Sequence, residues 1–175
     1  IYSIQGKGNY VKAHDLTKYT ILFDEMKNPI NSVDKTRLLG VNIIKPDQRM
    51  IDNLQISQYK KVIEIRRLFY TEGQPVAYDL KYLLYQRGMP IVEKEIQYAT
   101  FPEMIAKSVS LFTLKKELTI YAQIPDDEMK HALKMYSDTA LLVIELLLLN
   151  SEHKPVGLGI TYYRGDYIKI LGFSD

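Results

Sequence analysis

Leu141-Leu142-Val143-Ile144-Glu145-Leu146-Leu147-Leu148-Leu149 is followed by Asn150-Ser151-Glu152-His153-Lys154 and then by Pro155-Val156-Gly157-Leu158-Gly159-Ile160-Thr161-Tyr162-Tyr163-Arg164-Gly165-Asp166-Tyr167. An apolar run, a polar turn and a second arm rich in β-branched and aromatic residues read as a β-hairpin. Side chains alternate between the two sides of an extended arm. Gly157, Gly159, Thr161 and Tyr163 therefore share one face, and Leu158, Ile160 and Tyr162 the other. The first face has room beside it and a polar end, which suits a pocket wall. The second suits a core.

Working outward, the same patterning yields a second hairpin. Val62 to Phe69 alternates, Thr71-Glu72-Gly73-Gln74 is a turn, and Pro75 to Leu84 is the returning strand. Leu38 to Ile44 and Leu114 to Ile124 are strand-like, and Tyr167 to Leu171 adds a last strand. Helical spacing covers Leu16 to Met26, ended by Asn28-Pro29. A short helix spans Asp47 to Leu54, with Pro46 at a first-turn position. Phe101 to Ala106 looks helical, with Thr100 as its N-cap or the residue just before it. Another helix runs from Pro125-Asp126-Asp127-Glu128 to about Met135, its acids at the positive end of the dipole, and Ser137-Asp138 is a turn. Residues 86–98, punctuated by Gly88 and Pro90, show no period. Hairpins dominate, so the fold class is α+β, a largely antiparallel sheet with helices packed outside it.

Bulk properties narrow the function. At 175 residues the chain has room for one domain with a full core. A formal charge of +2 gives no argument for a nucleic-acid surface. With no cysteine there is neither a disulfide framework nor a thiolate metal site, which fits a cytoplasmic location. His14, His131 and His153 lie far apart without ligand spacing, so no metal or cofactor is expected. Leu141–Leu149 is too short to span a membrane and Glu145 interrupts it. A chain that starts at Ile1 reads as a fragment or processed form. The spacings of serine hydrolases, zinc proteases and P-loop proteins are missing, so the chain does not read as an enzyme.

Arg66-Arg67 carries the sharpest chemical signal. Neighbours on a strand point opposite ways, and Arg67 shares its face with Ile63, Ile65 and Phe69. An arginine on an apolar face requires a carboxylate partner or an anion, which the guanidinium fork suits. Asp79 on the returning strand is the candidate partner, or else a separate acceptor for ligand hydroxyls. Arg164-Gly165-Asp166 reads as a structural clamp around a glycine turn.

Three stretches resemble a known family. Gly6-Lys7-Gly8-Asn9-Tyr10-Val11, with short β-like pieces on either side of Gly6-Lys7-Gly8, resembles the end of the winged helix in GntR-family bacterial repressors. Arg67-Leu68-Phe69-Tyr70-Thr71-Glu72-Gly73-Gln74-Pro75-Val76-Ala77-Tyr78-Asp79 and the closing Tyr162-Tyr163-Arg164-Gly165-Asp166-Tyr167 resemble the UTRA domain of HutC-type GntR repressors. The resemblance implies a chorismate-lyase-like fold. It divides the chain into a wing tail at 1–11, a linker and first helix at 12–30, and a UTRA domain at 31–175. It implies a homodimer that senses an anionic metabolite, a sugar phosphate or a carboxylate. Operator DNA would be reached only through the rest of the winged helix. The ligand-binding set it implies is Arg67, Asp79, Thr100 and Tyr163, with Thr161 beside them on the glycine-lined face. Phe69 stands where relatives that respond to sugar phosphates carry a second arginine, and Gly157 where they carry an acid. The alternative is a chorismate-lyase-like enzyme on the same fold.

Overall fold

The computed structural model describes residues 2–4, 8–10, 33–88, 93–105, 114–136 and 139–168. A small antiparallel pair comes first, β1 (Tyr2–Ile4) with β2 (Gly8–Tyr10), in register Tyr2↔Tyr10. The main sheet is built from β3 (Lys35–Ile44), β4 (Val62–Thr71), β5 (Gln74–Leu84), β6 (Lys115–Gln123), β7 (Leu141–Leu149) and β8 (Pro155–Arg164). Its order is β3-β4-β5-β8-β7-β6, and every neighbouring pair is antiparallel. Among the described residues the helices are α1 (Gln48–Leu54), α2 (Glu93–Tyr98), α3 (Phe101–Ile105) and α4 (Asp127–Ala132).

Both hairpins form with the expected alternation, and local chemistry closes each one. Between β4 and β5 the loop is Glu72-Gly73, with φ of 50° and 74°. Positive φ at both positions is what a two-residue hairpin turn matching the sheet twist demands. Between β7 and β8, Asn150 Oδ1 accepts from the backbone N–H groups of Glu152 and Lys154, each at 2.9 Å, and His153 takes φ 61°. The side chain thus bonds the backbone two and four residues on, and the backbone closes the turn as well, Asn150 N–H donating to Lys154 O at 2.9 Å and His153 N–H to Asn150 O at 3.0 Å.

Alternation along each strand sorts the core into layers. On one face Leu68, Tyr78, Tyr82, Val143, Leu158, Ile160 and Tyr162 pack with Met50 and Leu54 of α1 and with Leu133 and Met135 after α4. On the other, Ile63, Ile65, Leu83, Leu146 and Leu148 pack under Phe101, Met104 and Ile105 of α3. Helices thus cover both faces of one six-stranded sheet.

Some boundaries differ from the sequence reading. Helix α1 begins at Gln48, because Asp47 is its N-cap and accepts from Met50 N at 2.7 Å. Pro46 therefore sits just outside the helix rather than in its first turn. Helix α4 stops at Ala132, not near Met135, as Lys134 turns to φ 51°. Asp126 caps it, and Asp127 and Glu128 fill its first turn. Residues 93–98 form a helix despite their missing period, because tertiary bonds hold it. Tyr167 lies in a turn and Ile168 is irregular, so the last strand is not present at those two positions. The remainder of that strand, the helix at 16–26 and the turn at 137–138 lie outside the described residues.

Candidate functional site

The strand register brings Arg67, Asp79 and Thr161 side by side. Arg67 pairs with Asp79 across β4 and β5, and Asp79 with Thr161 across β5 and β8. All three point to the face covered by α2 and α3. The role of partner is the one Asp79 takes: Arg67 Nε and Nη2 donate to its Oδ2 at 2.9 and 2.8 Å. Arg67 Nη1 donates to the carbonyl oxygens of Ala99 and Ile96 at 2.7 and 3.1 Å. The guanidinium thus ties the end of α2 to the sheet, and Gln97 Nε2 adds a bond to Thr36 O at 2.8 Å. Tertiary hydrogen bonds of this kind leave no trace in hydrophobic spacing.

The other carboxylate oxygen, Asp79 Oδ1, accepts from Thr161 Oγ1 and from Lys81 Nζ, each at 2.8 Å, and Lys81 Nζ reaches Thr161 Oγ1 at 3.2 Å. Lys81 was not among the residues picked out from the sequence. The signal was present: the alternation that turns Asp79 inward turns Lys81 inward too. The four side chains are deeply buried, with relative exposures of 4% for Arg67, 1% for Asp79, 5% for Lys81 and 6% for Thr161. Burial raises the Asp79 carboxyl pKa, but the Lys81 ammonium, the Arg67 guanidinium and the hydrogen bonds from Lys81 and Thr161 outweigh it and hold it at about 2. Asp79 is therefore ionised at neutral pH.

The glycine-lined face of β8 is filled. A Cβ on Gly157 would lie 2.7 Å from Ile105 Cδ1 and 2.8 Å from Phe101 Cζ. One on Gly159 would lie 2.9 Å from Lys81 Nζ and 3.0 Å from Phe101 Cε1. The space the sequence left for a pocket wall is taken by α3 and by Lys81, because bare glycine backbone lets an aromatic ring approach the sheet closely. Phe101 places its ring 5.0 Å from Lys81 Nζ, measured to the ring centre.

Two remaining residues of the predicted set stand nearby. Thr100 lies between Ala99, bonded by Arg67, and Phe101, stacked on Lys81. Its N–H donates to Glu103 Oε2 at 2.6 Å, which is half of a capping box and holds the Glu103 carboxyl below its usual range. Tyr163 is on the same face of β8 as Thr161 but packs in a separate apolar group with Val76, Ala77, Ile144 and Ile168. Arg164-Gly165-Asp166 is the expected clamp, Arg164 Nε and Nη2 donating to Asp166 at 3.1 and 2.7 Å. An open, apolar cleft of about 350 Å³ lies apart from the charged cluster, lined by Ala122, Ala140, Leu141, Leu142, Gly165 and Ile168. Among the described residues, no group of three or more His, Asp or Glu could hold a metal ion.

The family model described as UTRA domain matches residues 32–169. The chain belongs to the UTRA domain family. The UTRA domain here carries its buried charges on the face beneath α2 and α3. A curated relative, an uncharacterised HTH-type transcriptional regulator named YurK from Bacillus subtilis, is 28% identical over 79 residues. That stretch spans 43% of this chain and about a third of the relative, 33%. Among solved structures, the possible transcriptional regulator YydK of Bacillus subtilis superposes with a TM-score of 0.71 at 15% identity, over 99% of this chain and 75% of that one. The effector-binding domain of the B. subtilis trehalose repressor gives 0.71 at 15% identity, over 81% and 97%. The effector domain of PhnF from Mycobacterium smegmatis gives 0.69 at 18%, over 80% and 86%. The antiparallel six-stranded architecture is thus that of GntR-type effector-binding domains.

Proposed function

We propose that this chain is the effector-sensing part of a bacterial GntR/HutC-type repressor that works as a cytoplasmic homodimer. In this reading an anionic metabolite, a sugar phosphate or a carboxylate, binds on the face covered by α2 and α3. Binding shifts the dimer between arrangements that fit and do not fit paired operator half-sites. The ligand must prefer one arrangement, since equal affinity for both shifts nothing. The observation that carries the reading is a buried cluster with two cations and one carboxylate on the covered face of a UTRA domain. Arg67, Asp79, Thr100, Thr161 and Tyr163 would frame the site.

Residues 1–11 would be the tail of a DNA-binding wing, and the antiparallel pairing of β1 with β2 supports that. Residues 12–30 would link it to the sensing domain at 31–175. Operator DNA would be contacted through helices outside this chain. No described helix is long and apolar enough to cross a membrane.

The test is a thermal-shift screen of sugar phosphates, small carboxylates and their neutral counterparts. A ligand that binds only the native state raises the melting temperature. Stabilisation by one of these compounds, together with altered operator binding by the longer DNA-binding chain, is the expected result. A screen in which none stabilises the domain rejects the reading.

A further inference from the structure

Among the described residues, the buried charged side chains are Arg67, Asp79 and Lys81, a formal charge of 2 − 1 = +1. These groups are almost wholly withdrawn from solvent, so the surplus cation is costly unless something negative joins it. The two cations are not equivalent. Arg67 is spent on Asp79 and on the carbonyls of Ile96 and Ala99. Lys81 shares Asp79 Oδ1 with Thr161, and beyond those two partners it faces the ring of Phe101. An aromatic face attracts an ammonium but offsets far less charge than a carboxylate or phosphate does.

The cover over Lys81 is the ring of Phe101, on a short helix. Phe101 opens α3, a helix of 5 residues, which is too short to be stable by itself. Its ring and the Lys81 ammonium occupy one notch, made by the missing side chain of Gly159, the residue opposite Lys81 in the β5–β8 register. Rotating the ring out would open the notch.

We propose that Lys81 selects the charge of the effector: its ammonium receives an oxyanion, phosphate or carboxylate, in the notch that Phe101 fills. This deepens the effector-sensing reading and rests on it. Arg67 is then a positioning residue that fixes Asp79 and the α2–α3 junction, and Asp79 with Thr161 holds Lys81 in place. An oxyanion at Lys81 brings the cluster to neutrality with a carboxylate, and slightly past it with a phosphate dianion. Displacing Phe101 passes the event to α3.

The experiment is a thermal-melt titration of this chain with inorganic phosphate and, separately, with acetate, against chloride at matched ionic strength. Wild type is expected to be stabilised by one of the oxyanions beyond chloride, and which of them does so separates a phosphate site from a carboxylate site. Lys81→Met keeps the length of the side chain and leaves Asp79 paired with Arg67. It should fold and bind the same oxyanion about tenfold more weakly or worse. Phe101→Leu thins the cover and keeps Lys81, and should bind more tightly than wild type. A wild type indifferent to both oxyanions overturns the proposal, as does a Lys81→Met variant that responds like wild type. If Lys81→Met does not fold, Phe101→Leu decides alone: tighter binding supports the proposal, and unchanged binding overturns it. A neutral metabolite that stabilises wild type and Lys81→Met equally would remove Lys81 from the site while leaving effector sensing intact.

Discussion

Arg67 Nε and Nη2 converge on a single oxygen of Asp79, Oδ2, at 2.9 and 2.8 Å, which leaves Oδ1 to Lys81 and Thr161. The carboxylate is thus divided between a guanidinium that anchors α2 and an ammonium covered by α3. Removing each member of this cluster has a different consequence.

Asp79→Asn leaves two cations facing each other in the protein interior with no counter-charge from the cluster. Breaking a buried ion pair by deleting one partner costs about 3–5 kcal/mol. Urea unfolding should show a loss of that size. A loss below about 1 kcal/mol would mean that another acid neutralises the site.

Stability should fall in acid through the same residue. The folded-state pKa of Asp79 is lowered from 3.8 to about 2. A lowered pKa adds stability that is complete above the unfolded value and disappears as pH drops from about 4 through 2. The loss should be on the order of 2 kcal/mol. It should be absent from the pH dependence of Asp79→Asn, measured by urea midpoints between pH 5 and pH 2. Asp166, held low by the hydrogen bond from Arg164, and Glu103, held low by the Thr100 N–H, shift in the same direction. Both acids are exposed, so solvent screens their share.

The outline of the fold was legible because the sheet keeps its alternation through β4, β5, β7 and β8. The same alternation put Arg67 inward among Ile63 and Ile65 and chose Asp79 as its candidate partner, and both lie where the pattern places them. It also located Thr161 beside Asp79 once β5 and β8 were adjacent, a neighbour relation that sequence alone does not supply. Helix α2 was illegible for a physical reason: it is held by Arg67 on its carbonyls and by Gln97 on β3, not by an apolar stripe. The filled glycine face was misjudged because two glycines announce free space but not which distant ring, here Phe101, moves into it.

Arg67→Ala should loosen α2 before it loosens the sheet. Asp79 would keep Lys81, but the carbonyls of Ile96 and Ala99 would lose their charged donor. The expected cost is about 1–3 kcal/mol. Amide hydrogen exchange across Glu93–Tyr98 should accelerate more than exchange in β4 or β5. Equal acceleration everywhere would mean that α2 is not specifically tied down by this side chain.

Gly165→Ala should be poorly tolerated. A Cβ at that position would lie 2.5 Å from the carbonyl oxygen of Ala140, which is backbone and already accepts from Gly165 N at 3.1 Å. Crowding of this kind costs about 1–3 kcal/mol, readable as a lower urea midpoint. A substitution without effect would show that the Arg164–Asp166 turn shifts freely against β7.

The location predicted for the ligand is the face where β5 and β8 meet α2 and α3. The direct measurement is residue-resolved hydrogen exchange of this chain with and without saturating phosphate, repeated with any metabolite that stabilises it. Changes concentrated at Asp79–Lys81, Gly159–Thr161 and residues 93–105 are the predicted result. Changes centred instead on the apolar cleft between Ala122 and Ile168, with the charged cluster unaffected, would contradict it.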